Sequence, residues 1–157
     1  MKKFLLSLLL LFITILPAQE KVSINKQEIT IPIGKKIWVK PEIEDGRIIR
    51  FEIIREQDIS GKVDLFELLK HFEKDDKKDN SIEFTFSEAR MMDTPLFALV
   101  TIQRTGKKMT FKAKIRLKGD SAYFPTSILP IGSNIISIEQ WKDTIDSIFL
   151  YDFKLEG

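Results

Sequence analysis

The feature that most constrains this chain is an alternating apolar pattern near its middle. In the segment 108–117 every second residue is apolar, and the residues between them are polar or basic. The apolar set comprises Met109, Phe111, Ala113, Ile115 and Leu117. A period of two predicts a strand that lays one face on a core and turns the other face to water. The segment 96–105 before it is also rich in apolar and β-branched residues, so the centre of the chain is predicted to be β-sheet.

A glycine between these two segments suggests that they pair as a hairpin. Gly106-Lys107 fits a two-residue type II′ loop, whose first position needs a positive φ, whereas a Thr105-Gly106 loop would force a β-branched residue into that conformation. The register then pairs four sets of apolar residues: Ile102 with Phe111, Val100 with Ala113, Ala98 with Ile115, and Leu96 with Leu117. Phe97 and Leu99 fall on the opposite face of the first arm, and that face needs a cover.

Asp45-Gly46 is a second hairpin signal, of type I′. A two-residue turn at this dipeptide sets Glu44 opposite Arg47, which is a favourable charge pair. The same register, carried back along the first strand, places Trp38 beside Ile53 on the core side.

Further strands are predicted on both sides of this centre. The segment 27–33 contains Pro32, which lacks an N–H and favours an edge strand. Segment 81–86 alternates, with Ile82, Phe84 and Phe86 inward. The segment 137–141 fits a short helical turn. The last segment, 145–155, alternates as a strand with four large residues on one side: Phe149, Tyr151, Phe153 and Leu155.

The clearest helix pattern spans 64–73. Asp64 can cap its first turn, and Glu67 stands where a capping box wants a carboxylate. Its apolar face comprises Leu65, Phe66, Leu68, Leu69 and Phe72. Together these patterns predict a mainly β domain: a single antiparallel β-sandwich or partly closed β-barrel of about seven to nine strands, with one amphipathic helix near 64–73. The alternative is an eight-stranded barrel that encloses an apolar ligand.

The N-terminus has the three parts of a secretory signal peptide. Lys2 and Lys3 precede an uncharged apolar run, and Pro17 and Ala18 follow it. The apolar run is shorter than the about 20 residues of a membrane-spanning helix. We therefore expect cleavage after Ala18 or Gln19, a single β-rich domain over 20–157, and an extracytoplasmic protein (periplasmic or secreted) that is soluble and has no integral membrane segment after cleavage.

Charge and cysteine content limit the partners. Loss of Lys2 and Lys3 from 25 basic residues leaves as many as the 23 acidic ones, so the mature chain has no net charge to favour nucleic acid. The chain contains no cysteine. Disulfides, thiol chemistry and a lipid anchor are therefore excluded, and we do not expect a lipoprotein.

Residues that could carry catalysis are few. His71 is the single histidine and lies off the apolar face of the predicted helix, so a histidine-based triad or metal centre is not expected. Two clusters of acidic residues could serve a carboxylate-dependent hydrolase. One comprises Glu42, Glu44 and Asp45, and the other comprises Glu139, Asp143 and Asp146. A calcium loop is not expected in the segment 74–80, because lysines alternate with the acids there: Asp75, Asp76, Asp79 and Asn80 lie among Lys74, Lys77 and Lys78. We predict no cofactor and no metal.

Aromatic residues give the one binding hypothesis with a physical basis. Trp141 and Tyr123 could form a platform on which a sugar ring stacks, with Trp38 and Tyr151 as weaker candidates. The sequence therefore favours an exported non-catalytic module with an interaction or structural role, whose partner would be a glycan or another exported protein. The alternatives are a carbohydrate or small apolar ligand bound by exposed aromatics (Trp141, Tyr123), and a carboxylate-dependent hydrolase.

Overall fold

The computed structural model describes residues 20–72 and 78–157, which form eleven strands and one helix. The predicted signal peptide at 1–19 lies outside these residues, as do Asp75 and Asp76 of the 74–80 segment. The strands are β1 (Ser23–Asn25), β2 (Glu28–Pro32), β3 (Lys35–Glu44), β4 (Arg47–Asp58), β5 (Val63–Asp64), β6 (Ile82–Met91), β7 (Thr94–Gln103), β8 (Lys108–Leu117), β9 (Phe124–Thr126), β10 (Ile136–Trp141) and β11 (Ile145–Glu156), and the helix is α1 (Leu65–Lys70).

The strands form two sheets that pack face to face. The first sheet has the order β1-β2-β11-β8-β9, and the second has the order β10-β7-β6-β3-β4, with β5 added in parallel beside β6. Both inner faces contribute to one core that includes Ile31, Phe84, Phe111 and Leu150. The predicted antiparallel sandwich with one helix is confirmed. The sheets do not close into a barrel, and the strands beyond the expected seven to nine are pieces of two or three residues, too short to show a sequence period.

The predicted central hairpin is wrong, because its two arms lie in different sheets. β7 pairs with β6 and β10, whereas β8 pairs with β9 and β11. The strand that forms a hairpin with β7 is β6. A two-residue turn at Met92-Asp93 joins the two strands, and Met91 pairs with Thr94. Gly106 does have a positive φ of 76°, but its loop carries the chain from one sheet to the other.

The two buried faces of β7 explain that arrangement. Leu99 belongs to the main core. Leu96, Ala98 and Val100 lie on the other face, in a second cluster with Leu65 of α1. A strand covered on both faces needs a sheet below it and a helix above it, which a two-stranded hairpin cannot supply.

Helix α1 begins where the sequence predicts and ends earlier. The Asp64 carboxylate accepts a hydrogen bond from the Glu67 N–H at 3.1 Å, and the helix ends at Lys70 instead of residue 73. Leu65 is fully buried, but Phe66 and Leu69 are exposed. The apolar face is thus only partly used, because six residues make less than two turns.

The β3–β4 hairpin has the predicted turn. Asp45 and Gly46 have φ values of 48° and 74°, and Glu44 pairs with Arg47. Two register shifts, between Glu42 and Ile43 and between Trp38 and Val39, set Val39 opposite Ile53 and Trp38 opposite Arg55. Since Val39 is fully buried, the Trp38 side chain lies on the outer face, which corrects its predicted core position.

Two other expectations are corrected by strand pairing. Residues 137–141 form part of β10, because they pair with β7 along their whole length. β2 is not an edge strand, since β1 and β11 flank it. Pro32 is tolerated because Ile33 donates to Asp146 on the β11 side, so that the Pro32 nitrogen faces the opposite side, beyond the end of β1.

The last strand, β11, changes faces at a bulge. The register with β8 shifts between Tyr151 and Lys154, and Asp152 has a φ of 55°. Phe149 and Tyr151 consequently lie on the outer face, whereas Phe153 is 4% exposed in the core. The sequence prediction that placed all three on one side is wrong, because one extra residue shifts the alternation.

Candidate binding surface

Three aromatic side chains form a cluster on the outer face of the first sheet, which we call the aromatic face: Tyr123, Phe149 and Tyr151. The rings of Phe149 and Tyr151 stack with centroids 5.3 Å apart, and Tyr123 meets Phe149 edge-on at 6.2 Å. Alternation along β11 creates this cluster, because Ile148 and Leu150 between them are fully buried. The Tyr123 hydroxyl shares a hydrogen bond of 2.8 Å with the buried Ser147 hydroxyl, which fixes the ring in place.

Strand β8 places a row of cations beside these rings. Arg116 bonds Asp146 at 2.8 Å and lies 5.5 Å from the Tyr123 ring centroid. The hydrogen bond from Arg116 to Asp146 raises the pKa of the guanidinium further above its ordinary value, so it stays charged. This cation supports the ring and neutralises the carboxylate at one end of the face.

At the other end of the face, Lys112 pairs with Asp152 at 2.9 Å. The hydrogen bond that they share lowers the pKa of the Asp152 carboxyl and raises the pKa of the Lys112 ammonium. Lys154 approaches the same carboxylate at 3.7 Å. The charge on Asp152 is therefore held near neutral pH by two ammonium groups.

Lys114 stands between these two ion pairs. Its ammonium lies 5.3 Å from the centroid of the Tyr151 ring, and its side chain is half-buried. Within residues 20–72 and 78–157, no carboxylate pairs with it. The aromatic ring is thus the electrostatic partner of this cation.

A pocket of about 340 Å³ adjoins Tyr151 on the side opposite β8, and we call it the Tyr151 pocket. Its other walls come from the β1–β2 turn and the β11 bulge: Asn25, Lys26, Gln27, Glu28 and Asp152. A second groove of about 590 Å³ adjoins it and shares Gln27 and Asp152. The pocket thus combines an aromatic ring with amide, carboxylate and ammonium side chains.

Two residues of the pocket have an unusual backbone conformation. Lys26 has a φ of 54° and Asp152 a φ of 55°, a region that residues other than glycine enter at a cost. The β1–β2 turn is held in place because the Lys26 carbonyl accepts a hydrogen bond from the Phe51 N–H at 3.0 Å. Asp45, Asn80, Met92 and Asn134 share this conformation, so it defines the shape of the pocket walls at a turn and a bulge and does not by itself mark a binding site.

The two aromatics singled out in the sequence lie on different surfaces. Tyr123 belongs to the aromatic face. Trp141 is half-buried against the main core, and its Nε1 donates to the Thr126 hydroxyl at 2.9 Å. It also lines a groove of about 440 Å³ with Met91, Met92 and Leu96 on the second sheet. The structure therefore does not bring Trp141 and Tyr123 together as one platform.

The weaker candidates are also separated. Tyr151 lies on the aromatic face, whereas Trp38 lies on the outer face of the second sheet between Lys36 and Arg55, each 4.8 Å from its ring. The Trp38 Nε1 donates to Glu83 at 3.0 Å. Cations cover this ring, so it offers little surface to a ligand.

Four of the residues considered for catalysis are engaged in local contacts. His71 is exposed and bonds Glu67 one turn earlier at 3.1 Å. Glu42 pairs with Arg50, Asp146 with Arg116, and Glu139 accepts the Leu129 N–H at 2.9 Å. Among the described residues, no group of three or more acids or histidines is arranged to hold a metal ion.

The sequence pattern did not indicate that Phe149 and Tyr151 form a surface cluster. It assigned them to the same side as Phe153, because a bulge leaves no mark in an alternating pattern. The available signal was Asp152, a short polar residue that tolerates positive φ and stands among large apolar ones.

Comparisons with protein-family models, with curated proteins and with solved structures gave no significant match to this chain. In the described part of the chain, no helix has the length and apolar character required to cross a membrane.

Proposed function

We propose that this chain is an exported, non-catalytic module that binds carbohydrate at the Tyr151 pocket and the adjoining aromatic face. The observation that carries the proposal is the placement of Tyr151. Its ring lies on the central strand of the first sheet, with cations of β8 on one side and the polar β1–β2 turn on the other.

The chemistry of this surface suits a sugar. An aromatic ring offers apolar area to the C–H face of a pyranose, and a tyrosine adds a hydroxyl at its wet end. Planar amide and carboxylate groups accept or donate paired hydrogen bonds, which match neighbouring hydroxyl groups. Asn25, Gln27 and Glu28 supply such groups within the same pocket as the ring.

Export is supported by the N-terminal sequence, where Lys2 and Lys3 precede the apolar run that ends at Pro17. A binding role without catalysis is favoured by the site itself. The pocket holds two carboxylates, and Asp152 is paired with Lys112, which keeps it ionised and unsuited to act as a general acid.

A panel of purified oligosaccharides, measured by isothermal titration calorimetry, tests the proposal. We expect at least one glycan to bind, and Tyr151→Ala to weaken it about tenfold, which corresponds to about 1.4 kcal/mol. Phe66→Ala is the matched control, because Phe66 is an exposed aromatic on α1, far from this sheet face in the topology. A flat response across the panel, or equal losses for both variants, would contradict the proposal.

A second candidate function follows from the groove beside Trp141. Its apolar walls of Met91, Met92 and Leu96 favour a small apolar ligand over a sugar. This reading predicts that Trp141 fluorescence shifts with an apolar probe such as a fatty acid, and that Met92→Lys abolishes the shift. No shift on titration would eliminate it.

A further inference from the structure

We propose that the carbohydrate is anionic, and that Lys114 binds the carboxylate or sulfate group carried by one of its rings. This inference rests on the proposed function of the Tyr151 pocket. It further specifies the charge of the ligand and the residue that binds the charged group.

Among the described residues, Lys114 is the cation of β8 that has no carboxylate partner. The ammonium of Lys112 is paired with Asp152 at 2.9 Å, and the guanidinium of Arg116 is paired with Asp146 at 2.8 Å. Arg116 also reaches Glu20 at 3.3 Å. Lys114 lies between them on the same strand face, and its closest electrostatic partner is the Tyr151 ring at 5.3 Å.

The environment of Lys114 strengthens an ion pair with a ligand. The residue is half-buried, whereas the side chain of Lys112 is 65% exposed. A charge-assisted hydrogen bond is stronger where water is partly excluded. The ring beneath the ammonium also stays in place when an anion arrives, since cation–π contact and anion binding use different sides of the cation.

The surface is polarised across the Tyr151 ring. On the β8 side, a ligand meets the unpaired ammonium of Lys114. On the β2 side, it meets the carboxylates of Glu28 and Asp152, which accept hydrogen bonds from hydroxyl groups and repel anions, and the ammonium of Lys26. Because the two carboxylates outnumber the one ammonium there, a ring with an anionic group at one end and hydroxyl groups at the other is favoured in one orientation.

Matched polymers separate charge from sugar shape. Retardation of the whole protein is measured by native gel electrophoresis with one polymer cast in the gel. The anionic polymers are polygalacturonate and dextran sulfate, and their neutral counterparts are fully methyl-esterified polygalacturonate and dextran. We expect the protein to bind one or both anionic polymers at least about tenfold more tightly than the neutral counterpart. Preference for polygalacturonate identifies a carboxylate ligand, and preference for dextran sulfate identifies a sulfate.

Two variants assign the effect to a residue. Lys114→Gln should reduce binding of the preferred anionic polymer about fivefold to tenfold and leave the neutral polymer unchanged. Lys40→Gln, an exposed lysine of β3 in the other sheet, should change neither. An equal loss for Lys114→Gln and Lys40→Gln would show non-specific attraction to polyanions, which overturns the inference.

The remaining outcomes distinguish this inference from the proposed function. Equal binding of acidic and neutral polymers, with loss in Tyr151→Ala, would overturn the anionic ligand and leave the glycan site intact. Failure of both anionic polymers to retard the protein would also overturn it, whereas the oligosaccharide panel decides on the glycan site by itself. Retained preference in Lys114→Gln would remove Lys114 from the role.

Discussion

At the scale of single residues, the Gln103 side chain holds the loop that connects β7 in one sheet to β8 in the other. It is fully buried, and its amide nitrogen donates to the carbonyls of Lys107 and Ile131 at 2.7 and 3.2 Å. Its carbonyl accepts hydrogen bonds from the N–H and the hydroxyl of Thr105 at 3.0 and 2.7 Å. One side chain thus supplies hydrogen-bond partners to the loop between β7 and β8.

Replacing this amide should destabilise the protein without emptying the core. Gln103→Met keeps the volume similar but removes the four hydrogen bonds that this buried side chain makes, so we expect the free energy of unfolding to fall by about 1–3 kcal/mol. Urea denaturation measures the change. Gln57→Met serves as the control because Gln57 is exposed on β4, and a loss of the same size there would contradict the role of Gln103.

The ion pairs of Lys35 should make the stability of the folded protein depend on pH in the alkaline range. This lysine is 7% exposed and pairs with Asp58 at 2.6 Å and Glu56 at 3.1 Å. The hydrogen bond to Asp58 raises the pKa of Lys35 above its ordinary value of 10.5. Because the folded-state pKa exceeds the unfolded one, the stability from this charge is complete below pH 10.5 and is lost as pH rises through the folded-state pKa.

We therefore expect the wild type to lose more stability than Lys35→Met as the pH rises above 10.5. Urea denaturation at several pH values gives both curves, and Lys40→Met controls for the general titration of exposed lysines. Parallel curves for wild type and Lys35→Met would contradict the assignment.

At the scale of elements, strands with a regular period could be predicted from the sequence, and their partners could not. The 108–117 pattern is β8, and the Asp45-Gly46 turn is correct, because local backbone chemistry determines both. The Met92-Asp93 turn was missed because Met92 is not a residue that favours its φ of 53°. Pairing of β7 with β6 and β10 depends on burial of both its faces, which is a property of the whole fold.

Bulges are the second source of error, and they also decide the candidate site. An extra residue at Asp152 separates the outward Tyr151 from the inward Phe153. The register shift between Glu42 and Ile43 sets Val39, and not Trp38, opposite Ile53, so the Trp38 ring lies outside the core. The sequence named Tyr123 and Tyr151 among its binding candidates, but it could not show that Phe149 joins them or that Trp141 belongs to another surface.

The bulge in β11 determines how much Phe149 and Phe153 each contribute to stability. Phe153 packs in the core against Phe51 at 4.7 Å and Phe111 at 5.0 Å between ring centroids. Phe153→Ala should lower the free energy of unfolding by about 3–5 kcal/mol. Phe149→Ala removes the same ring from the outer face and should cost about 1 kcal/mol. Equal costs by chemical denaturation would mean that the strand continues without a change of face.

At the scale of the whole molecule, the fold leaves one sheet face open and covers the other in part. Helix α1 and Leu65 cover the outer face of the second sheet, whereas the outer face of the first sheet carries the aromatic face and the cations of β8. Most of those cations are neutralised by carboxylates of β11 and the N-terminal segment, and Lys114 is the exception within the described residues. The proposed site thus follows from strand order, because β11 lies between β8 and β2.

The central claim is that a ligand binds across the Tyr151 ring. The most direct measurement is a titration of the isotope-labelled protein with the oligosaccharide panel, including polygalacturonate and dextran sulfate oligomers, followed by two-dimensional amide NMR. We expect at least one of these ligands to cause shifts in β8 near Lys114, in β11 near Tyr151 and in the β1–β2 turn near Lys26. Shifts confined to the groove that Trp141 and Met92 line, or an unchanged spectrum, would contradict it.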